Sequence, residues 1–227
     1  GVLLTSAAKE YLKVYGVLVG KKPLIFTNND SAYETAIEFK KNGIDPLVLD
    51  TRVNPKSEII DEAKSLNINI KFSYVVIAAK GYKKVKSAEI AKISEDKKDL
   101  GQIVNINCDC ICVSGFWTPT IHLASQSGNK TKFNKEIDAF VPGQSKQEET
   151  TVGSANGTFT LEQTLKKSFE VGHELSKKIT NKDNKVSVPQ VAEKKSTQHD
   201  KFWCVPLPKG KKYKRFLDFQ NDVAVTD

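Results

Sequence analysis

Glycine, serine and threonine residues that could bind an anionic cofactor are concentrated in Val152–Leu165, VGSANGTFTLEQTL. Gly153 and Gly157 would let a ligand approach the backbone closely. Thr158 or Thr160 can cap a following helix, whose N-terminal amides carry a partial positive charge. The pattern therefore predicts a cofactor-binding turn. An ordinary capped helix explains it equally well, and its inward-facing residues would be Leu161, Leu165 and Phe169.

A second segment of chemical interest, Pro23–Arg52, is typical of a strand–turn–helix–strand unit in a nucleotide-binding sheet. In such units the turn binds pyrophosphate, and an acid after the second strand, here Asp50, hydrogen-bonds the ribose. The turn Thr27–Ala32 contains no glycine and carries Asp30 where phosphate would lie, so close approach is blocked and the charge is unfavourable. We expect a Rossmann-like unit that packs without binding phosphate, with Asp50 and Arg52 paired at the surface.

Local signals define the elements of this unit. The apolar run Leu24–Phe26 predicts a buried parallel strand. Asp30 or Ser31 can cap the following helix, with Glu34 completing a capping box. Asn42–Gly43 can end that helix in a left-handed conformation, and a second apolar strand follows directly.

The neighbouring patterns predict a small α/β subdomain closed by an antiparallel ribbon. We expect an amphipathic helix over Val2–Tyr15, ended by Gly16, and a second helix over Ser57–Leu66. Alternation of apolar and polar residues is typical of half-exposed strands. The strands expected on this basis or from short apolar runs are Ile68–Phe72, Tyr74–Ala79 and Lys83–Ile93.

Three cysteines, Cys108, Cys110 and Cys112, suggest metal or redox chemistry, but their spacing argues against both. On one strand a C-x-C-x-C run points all sulfurs to one face, whereas zinc and thioredoxin-like centres use C-x-x-C spacings. We expect buried, reduced thiols that pack as small apolar groups. The three histidines form no ligand pattern; they are His122, His173 and His199.

The composition limits the classes of function. The 227 residues carry a net charge of +8, yet Arg52 and Arg215 are the only arginines among 35 basic residues. Nucleic-acid sites favour arginine with aromatic neighbours, so we expect a solvated lysine-rich surface and no nucleic-acid partner.

No apolar run approaches the roughly 20 residues that span a bilayer, so we expect no membrane association. The chain lacks Met, which suggests that position 1 lies inside a longer polypeptide.

Five motifs resemble, in this order, the α subunits of heterotetrameric sarcosine oxidases. They are FTNNDSAY (Phe26–Tyr33), CDCICVSGFWTPTIHLASQSGNK (Cys108–Lys130), AFVPG (Ala139–Gly143), SANGTFTLEQTL (Ser154–Leu165) and LDFQNDV (Leu217–Val223). The resemblance is weakest over the lysine-rich segment Lys177–Lys201. It implies an α/β fold of the FAD/NAD(P)-binding disulfide-reductase type. A Rossmann-like nucleotide-binding subdomain with an antiparallel ribbon would be inserted there into a larger dinucleotide domain, of which part is present.

The resemblance also implies an activity. Enzymes of the sarcosine oxidase family oxidatively demethylate sarcosine to glycine, yield peroxide and can pass the one-carbon unit to tetrahydrofolate. The α subunit would carry NAD, with FAD and FMN held elsewhere in the complex and folate bound by a C-terminal domain. The partners would be β, γ and δ subunits and a small amine substrate. We expect a cytoplasmic complex in which this chain is an internal fragment, inactive alone, that binds no metal and supplies no catalytic residue.

Site residues follow from position in the family motifs. Ser154, Phe159 and Leu161 would touch the dinucleotide, with Gly157 and Thr158 from the same turn. A second set would be Ser114, Gly115 and Phe116. The family usually has glycine where Phe116 stands. The phenylalanine side chain is unfavourable for close approach of a ligand to the backbone at that position.

The expected organisation has five parts. They are a helix of the main dinucleotide domain (1–20), the inserted subdomain (21–105), the return to the main domain (106–176), a linker (177–201) and the start of a following small domain (202–227). Two other functions remain open. One is the pyridine-nucleotide-binding domain of another flavin-dependent reductase or amino-acid dehydrogenase, and the other is a non-catalytic interaction scaffold.

Overall fold

The structure is a computed structural model that describes residues 1–115, 117–183, 187–191, 200–208, 210, 216–218 and 223–224. The chain forms two compact units. The first comprises Gly1–Ser114 with Phe202–Asp227, and the second comprises Gly115–Lys201. Three residues singled out in the sequence lie outside the described residues, as does much of the predicted linker; they are Phe116, His199 and Arg215.

The first unit alternates strands and helices before it turns to strands alone. Its elements are β1 (Val2–Leu4), α1 (Thr5–Tyr15), β2 (Pro23–Thr27), α2 (Ser31–Lys41), β3 (Leu47–Asp50), α3 (Glu58–Ser65), β4 (Asn69–Phe72), β5 (Tyr74–Gly81), β6 (Val85–Lys92), β7 (Val104–Asn107) and β8 (Cys110–Ser114). This order is the α/β class that the sequence predicts.

Five of these strands form a parallel sheet in the order β1-β8-β2-β3-β4. From β2 the chain moves through β3 to β4 on one side, and β8 then pairs on the other side. The order therefore reverses between β2 and β8, which makes this the topological switch point where doubly wound sheets bind ligands. The register places Thr27 beside both Asp50 and Ser114 at the carboxyl ends of the strands.

The parallel sheet is covered on both faces, which explains its continuous apolar strands. Helices α1 to α3 pack against one face through buried residues such as Ala8, Phe39 and Ile60. An antiparallel sheet, ordered β5-β6-β7, covers the other face. There Leu24 and Leu49 of the parallel sheet belong to one buried cluster with residues of β6. The predicted antiparallel ribbon is confirmed.

The predicted N-terminal helix is wrong over its first three residues. Val2–Leu4 form β1, which pairs with β8, and the helix begins at Thr5. A three-residue strand has little local pattern, and its partner lies more than a hundred residues away in the sequence. The predicted end of the helix is confirmed, because Gly16 adopts a left-handed φ of 64°.

Helix α2 confirms the predicted position but not the predicted cap. The Asp30 side chain makes no capping hydrogen bond. Instead the Asn29 Oδ1 accepts a hydrogen bond from the Ser31 amide at 3.0 Å. At the other end Gly43 has a φ of 77°, and its amide donates to the Lys40 carbonyl, so the predicted glycine-dependent helix end is confirmed.

The three cysteines do not share one face. After β7 the chain crosses from the antiparallel to the parallel sheet, and the Asp109 carboxylate accepts hydrogen bonds at 2.8 Å from the Lys21 and Lys22 amides. Cys108 packs between the sheets, whereas Cys110 and Cys112 face the helices with their sulfurs 3.4 Å apart. All three are buried and free, as the sequence predicts.

The second unit contains α4 (His122–Gln126), the hairpin strands β9 (Thr131–Asn134) and β10 (Ala139–Pro142), a 3₁₀ helix (Gly153–Asn156) and α5 (Leu161–Thr180). Ala139 and Val141 of β10 are buried. Across it Phe133 and Phe140 pack edge to face with ring centres 5.3 Å apart. In the described part of the chain, α5 included, no helix is long and apolar enough to cross a bilayer. Two further short strands of the first unit, β11 (Phe216–Asp218) and β12 (Val223–Ala224), pair antiparallel.

Candidate functional site

The turn that precedes α5 is built around two left-handed glycines. Gly153 opens the 3₁₀ helix with a φ of 72°, and Gly157 closes it with a φ of 76°. A Cβ at position 157 would lie 2.4 Å from the Ile137 Cδ1 and 3.2 Å from the Val141 Cγ1. Conformation and packing therefore both favour glycine at position 157, and the turn packs tightly against the β9–β10 hairpin.

The two candidate capping threonines have different roles. Thr160 is the N-cap of α5, since its Oγ1 accepts a hydrogen bond from the Gln163 amide at 3.3 Å. Thr158 is buried, and its amide donates to the Gly153 carbonyl at 3.0 Å. Its Oγ1 accepts a hydrogen bond from the Lys167 Nζ at 3.1 Å. Thr158 therefore anchors the turn, and Lys167 brings a positive charge to it.

The solvent exposure of the residues around the start of α5 distinguishes a candidate binding surface from an ordinary packed helix. Ser154 is exposed, Phe159 is half-buried and Leu161 is 63% exposed. None of the residues of α5 is buried, and Leu165 and Phe169 are only partly covered. The alternative in which Leu161 packs inward is therefore wrong. The start of α5 presents a hydroxyl, an apolar side chain and a capped helix terminus to solvent.

The second predicted set is divided between the two units. Ser114 ends β8 in the first unit, and Gly115 begins the second. The Ser114 Oγ lies 3.2 Å from both the Asn29 Nδ2 and the Ser31 Oγ. The Ser114 hydroxyl therefore bridges β8 to the turn after β2. Phe116 lies outside the described residues.

A group of ionisable residues lies at the carboxyl end of β3, next to the switch point. We call Asp30, Tyr33, Asp50 and Arg52 the Arg52 network. Arg52 Nη2 and Tyr33 OH both donate to the Asp50 Oδ2 at 2.8 Å, and Arg52 Nη1 donates to the Asp30 Oδ1 at 2.7 Å. The Arg52 Nε and amide also donate to the Asp50 Oδ1, each at 3.0 Å.

The Arg52 network is buried, so the expected surface position of the Asp50–Arg52 pair is wrong. The Asp50 and Arg52 side chains are 0% and 9% exposed. Burial, together with the Asp50 carboxylate, raises the pKa of Tyr33 above its usual value. Burial alone would lower the pKa of Arg52, but its hydrogen bonds to Asp50 and Asp30 raise it. Tyr33 is therefore a neutral donor and Arg52 a permanent cation at neutral pH.

Sequence reasoning found the Asp50–Arg52 pair but not Tyr33 or Asp30. The sequence predicts Asp30 as a helix cap and gives Tyr33 no role of its own. The available signals were Asp50 at the end of a buried strand and Asp30 one helical turn before Tyr33. A buried carboxylate requires a cation or several donors, and Arg52 is the only arginine among the described residues.

The fold defines the class. The chain superimposes on Lactococcus lactis thioredoxin reductase (FR conformation) with a TM-score of 0.59 and 14% identity, covering 80% of this chain and 58% of that chain. The Escherichia coli flavoprotein disulfide reductase RclA gives a TM-score of 0.55 and 11% identity, covering 77% and 39%. The fold is thus that of the FAD/NAD(P)-binding disulfide reductases, as the sequence predicts.

The sequence comparisons are more particular. The sarcosine oxidase subunit alpha of Rhizobium meliloti (strain 1021) is 30% identical over 230 residues, which is 100% of this chain and 22% of that protein. The same subunit of Corynebacterium sp. (strain P-1) is 27% identical over 233 residues, covering 24% of that protein. The predicted resemblance to sarcosine oxidase α subunits is confirmed over the whole chain, which spans about a quarter of the length of these relatives. No protein-family model matches the chain.

Proposed function

We propose that the chain is a dinucleotide-binding segment of the α subunit of a sarcosine-oxidase-like complex. The similarity of the whole chain to about a quarter of the sarcosine oxidase α subunits supports the family. One structural observation carries the assignment of the site. The Gly157 turn holds the Thr160-capped terminus of α5 towards solvent, with Ser154 and Leu161 exposed beside it.

Each residue of the site has a proposed role. The first amides of α5 would donate to a phosphate, because the N-terminal end of a helix carries a partial positive charge. The Ser154 hydroxyl would hydrogen-bond a polar edge of the nucleotide, and Phe159 and Leu161 would contact its apolar faces. Gly157 and Thr158 shape the turn and bring Lys167 to it.

The second set contributes less. The Ser114 hydroxyl already bonds to Asn29 and Ser31, so a contact from this part of the chain would come from the Gly115 backbone. Phe116 remains a sequence-based candidate.

The reaction proposed for the complex is the oxidation of sarcosine to glycine with release of peroxide, and transfer of the one-carbon unit to tetrahydrofolate. FAD and FMN would supply the redox chemistry, with NAD in the α subunit and β, γ and δ subunits as partners in the cytoplasm. This chain would contribute cofactor binding and no catalytic acid or base. The five-part organisation expected from the sequence is proposed for it.

Binding can be tested with a matched pair of leucine variants in α5. Leu161 and Leu175 are both exposed, but 14 residues, or about 21 Å of helix, separate them. Leu161→Glu adds a carboxylate at the helix terminus beside Glu162, so we expect NAD affinity to fall about tenfold. Leu175→Glu should leave it unchanged. Isothermal titration calorimetry with NAD, FAD and ADP gives the affinities.

The outcomes separate the candidate functions. Equal effects of the two variants would move the NAD site away from the start of α5. Binding of FAD without NAD would contradict both the proposed NAD site and the pyridine-nucleotide-binding domain of another reductase. A chain that binds none of the three ligands would support the interaction scaffold.

A further inference from the structure

The switch-point crevice of the first unit is where a doubly wound sheet would bind a nucleotide. We define it as the turn Thr27–Ser31 after β2 together with Ser114 at the end of β8. A nucleotide there needs space for a pyrophosphate, unoccupied amides at the start of the helix and an accessible acid after the second strand. Each requirement can be compared with the contacts observed.

Side chains fill the space between the two strands. The Asn29 Nδ2 lies 3.0 Å from the Asn28 Oδ1, 3.2 Å from the Ser114 Oγ and 3.4 Å from the Ser114 carbonyl. Asn28 and Asn29 are only 5% and 3% exposed. The Thr27 Oγ1 donates to the Asn29 carbonyl at 2.9 Å and fixes the turn. An asparagine bridge thus occupies the place where a glycine-rich turn would admit a pyrophosphate.

The start of α2 is also engaged. The Asn29 Oδ1 accepts hydrogen bonds from the Ser31 amide at 3.0 Å and from the Ser31 hydroxyl at 2.6 Å. The Asp30 carboxylate lies at the N-cap position, 6% exposed, and pairs with Arg52. Asp30, Asp50 and Arg52 together have a formal charge of −1. A phosphate placed there would meet a buried negative group instead of donors.

The ribose acceptor is inaccessible as well. Asp50 is fully buried, and both of its oxygens accept hydrogen bonds from Arg52, with Tyr33 as a further donor to Oδ2. A ribose hydroxyl would have to displace one of these buried donors. That exchange is unfavourable because the displaced group would lose its partner in the interior.

We infer that the switch-point crevice of the first unit does not accept a pyridine or flavin nucleotide, and that its asparagine bridge and Arg52 network hold the strand ends together instead. The cofactor implied by the fold class does not fit this part of the chain. The inference is independent of the proposed site at α5, because it depends on contacts within the first unit alone.

Hydrogen–deuterium exchange of the full chain tests the binding part. NAD, NADP, FAD and ADP are added at millimolar concentration, and deuterium uptake is followed separately in peptides covering 24–33, 47–53 and 152–165. We expect no ligand-dependent change in the first two peptides. Saturable slowing of exchange in either one would overturn the inference. The peptide 152–165 reports on the proposed function, so this inference and the proposed function can fail separately.

Urea denaturation tests the structural part. Arg52→Ala leaves the Asp30 and Asp50 carboxylates buried without their cation, and we expect a large fall in the unfolding midpoint or loss of folding. Lys41→Ala is the matched control, because Lys41 forms an exposed pair with Glu62 at 3.2 Å; its midpoint should stay near that of the parent chain. A midpoint for Arg52→Ala equal to that of the control would show that the network does not hold the strand ends.

Discussion

The Asp50 carboxylate is both a potential ribose acceptor and a buried charge, and its neighbours decide between the two roles. A buried carboxylate without donors costs several kcal/mol. Tyr33 and Arg52 supply donors to both of its oxygens. The same contacts that stabilise Asp50 remove it from solvent, so stability and ligand recognition compete at this residue.

Tyr33→Phe removes one donor to Asp50 without changing the shape of the side chain. A hydrogen bond to a charged group contributes about 1.5–3 kcal/mol, so we expect the free energy of unfolding to fall by about 2 kcal/mol in urea denaturation. Tyr82→Phe is the control, because Tyr82 is 93% exposed, and its effect should lie within about 0.5 kcal/mol of zero. Equal effects would contradict the role assigned to the Tyr33 hydroxyl.

The effect of Tyr33→Phe on the free energy of unfolding should also depend on pH. Burial and Asp50 raise the pKa of Tyr33 in the folded state above its usual value of 10.0. Above pH about 10 the unfolded state loses this proton while the folded state keeps it, so the stabilisation present at lower pH declines by about 1.4 kcal/mol per pH unit. The difference in unfolding free energy between parent and Tyr33→Phe should therefore shrink from pH about 10 upward. A constant difference would show that Tyr33 titrates normally.

The turn before α5 depends on one glycine more than on its neighbours. Gly157→Ala forces an alanine into a φ of 76° and places its Cβ 2.4 Å from the Ile137 Cδ1. We expect a loss of about 1–3 kcal/mol in thermal or urea denaturation.

Gly172→Ala is the matched control for the glycine prediction. Gly172 lies inside α5, and a Cβ there meets nothing within 4 Å, so alanine should stabilise the helix by about 0.5–1 kcal/mol. Destabilisation of similar size in both variants would contradict the packing described for the turn.

Elements with strong local signals could be predicted from the sequence, and those that depend on distant partners could not. The strand–helix–strand order from β2 to β3 follows from apolar runs, a turn and a terminal glycine. β1 could not be found, because its three residues become a strand only by pairing with β8. Asp30 is a normal N-cap residue in isolation, but a buried cation attracts its carboxylate more strongly than a helix amide does.

The local structure of the turn before α5 could be predicted from the sequence, but the contacts of its residues only in part. The Gly157 turn and the Thr160 cap follow from local rules, and the structure has both. The burial of Thr158 and its contact with Lys167 arise from packing within the second unit. The Arg52 network needed knowledge of which strand ends are neighbours, which depends on the pairing of β2 with both β3 and β8.

On the helices of the first unit, positive charge is interleaved with negative charge. Several lysines on the helices of the first unit form exposed or half-exposed pairs with glutamates, at distances of 2.5–3.3 Å; they are Lys9–Glu34, Lys13–Glu38 and Lys41–Glu62. Such pairs contribute little to stability, but they place a negative group beside each positive one. The net charge of +8 therefore does not describe a uniformly positive surface.

This charge distribution makes a prediction about nucleic acids. A basic protein binds duplex DNA by releasing counterions, and the affinity falls with salt according to the number of phosphates contacted. Lysines interleaved with glutamates contact few phosphates at once, so we expect any association to be weak and to vanish at about 0.15 M salt. Fluorescence anisotropy with two duplexes of unrelated sequence measures this. Binding that survives at this salt concentration and differs between the duplexes would require an arginine- or aromatic-lined groove and would contradict the expected absence of a nucleic-acid partner.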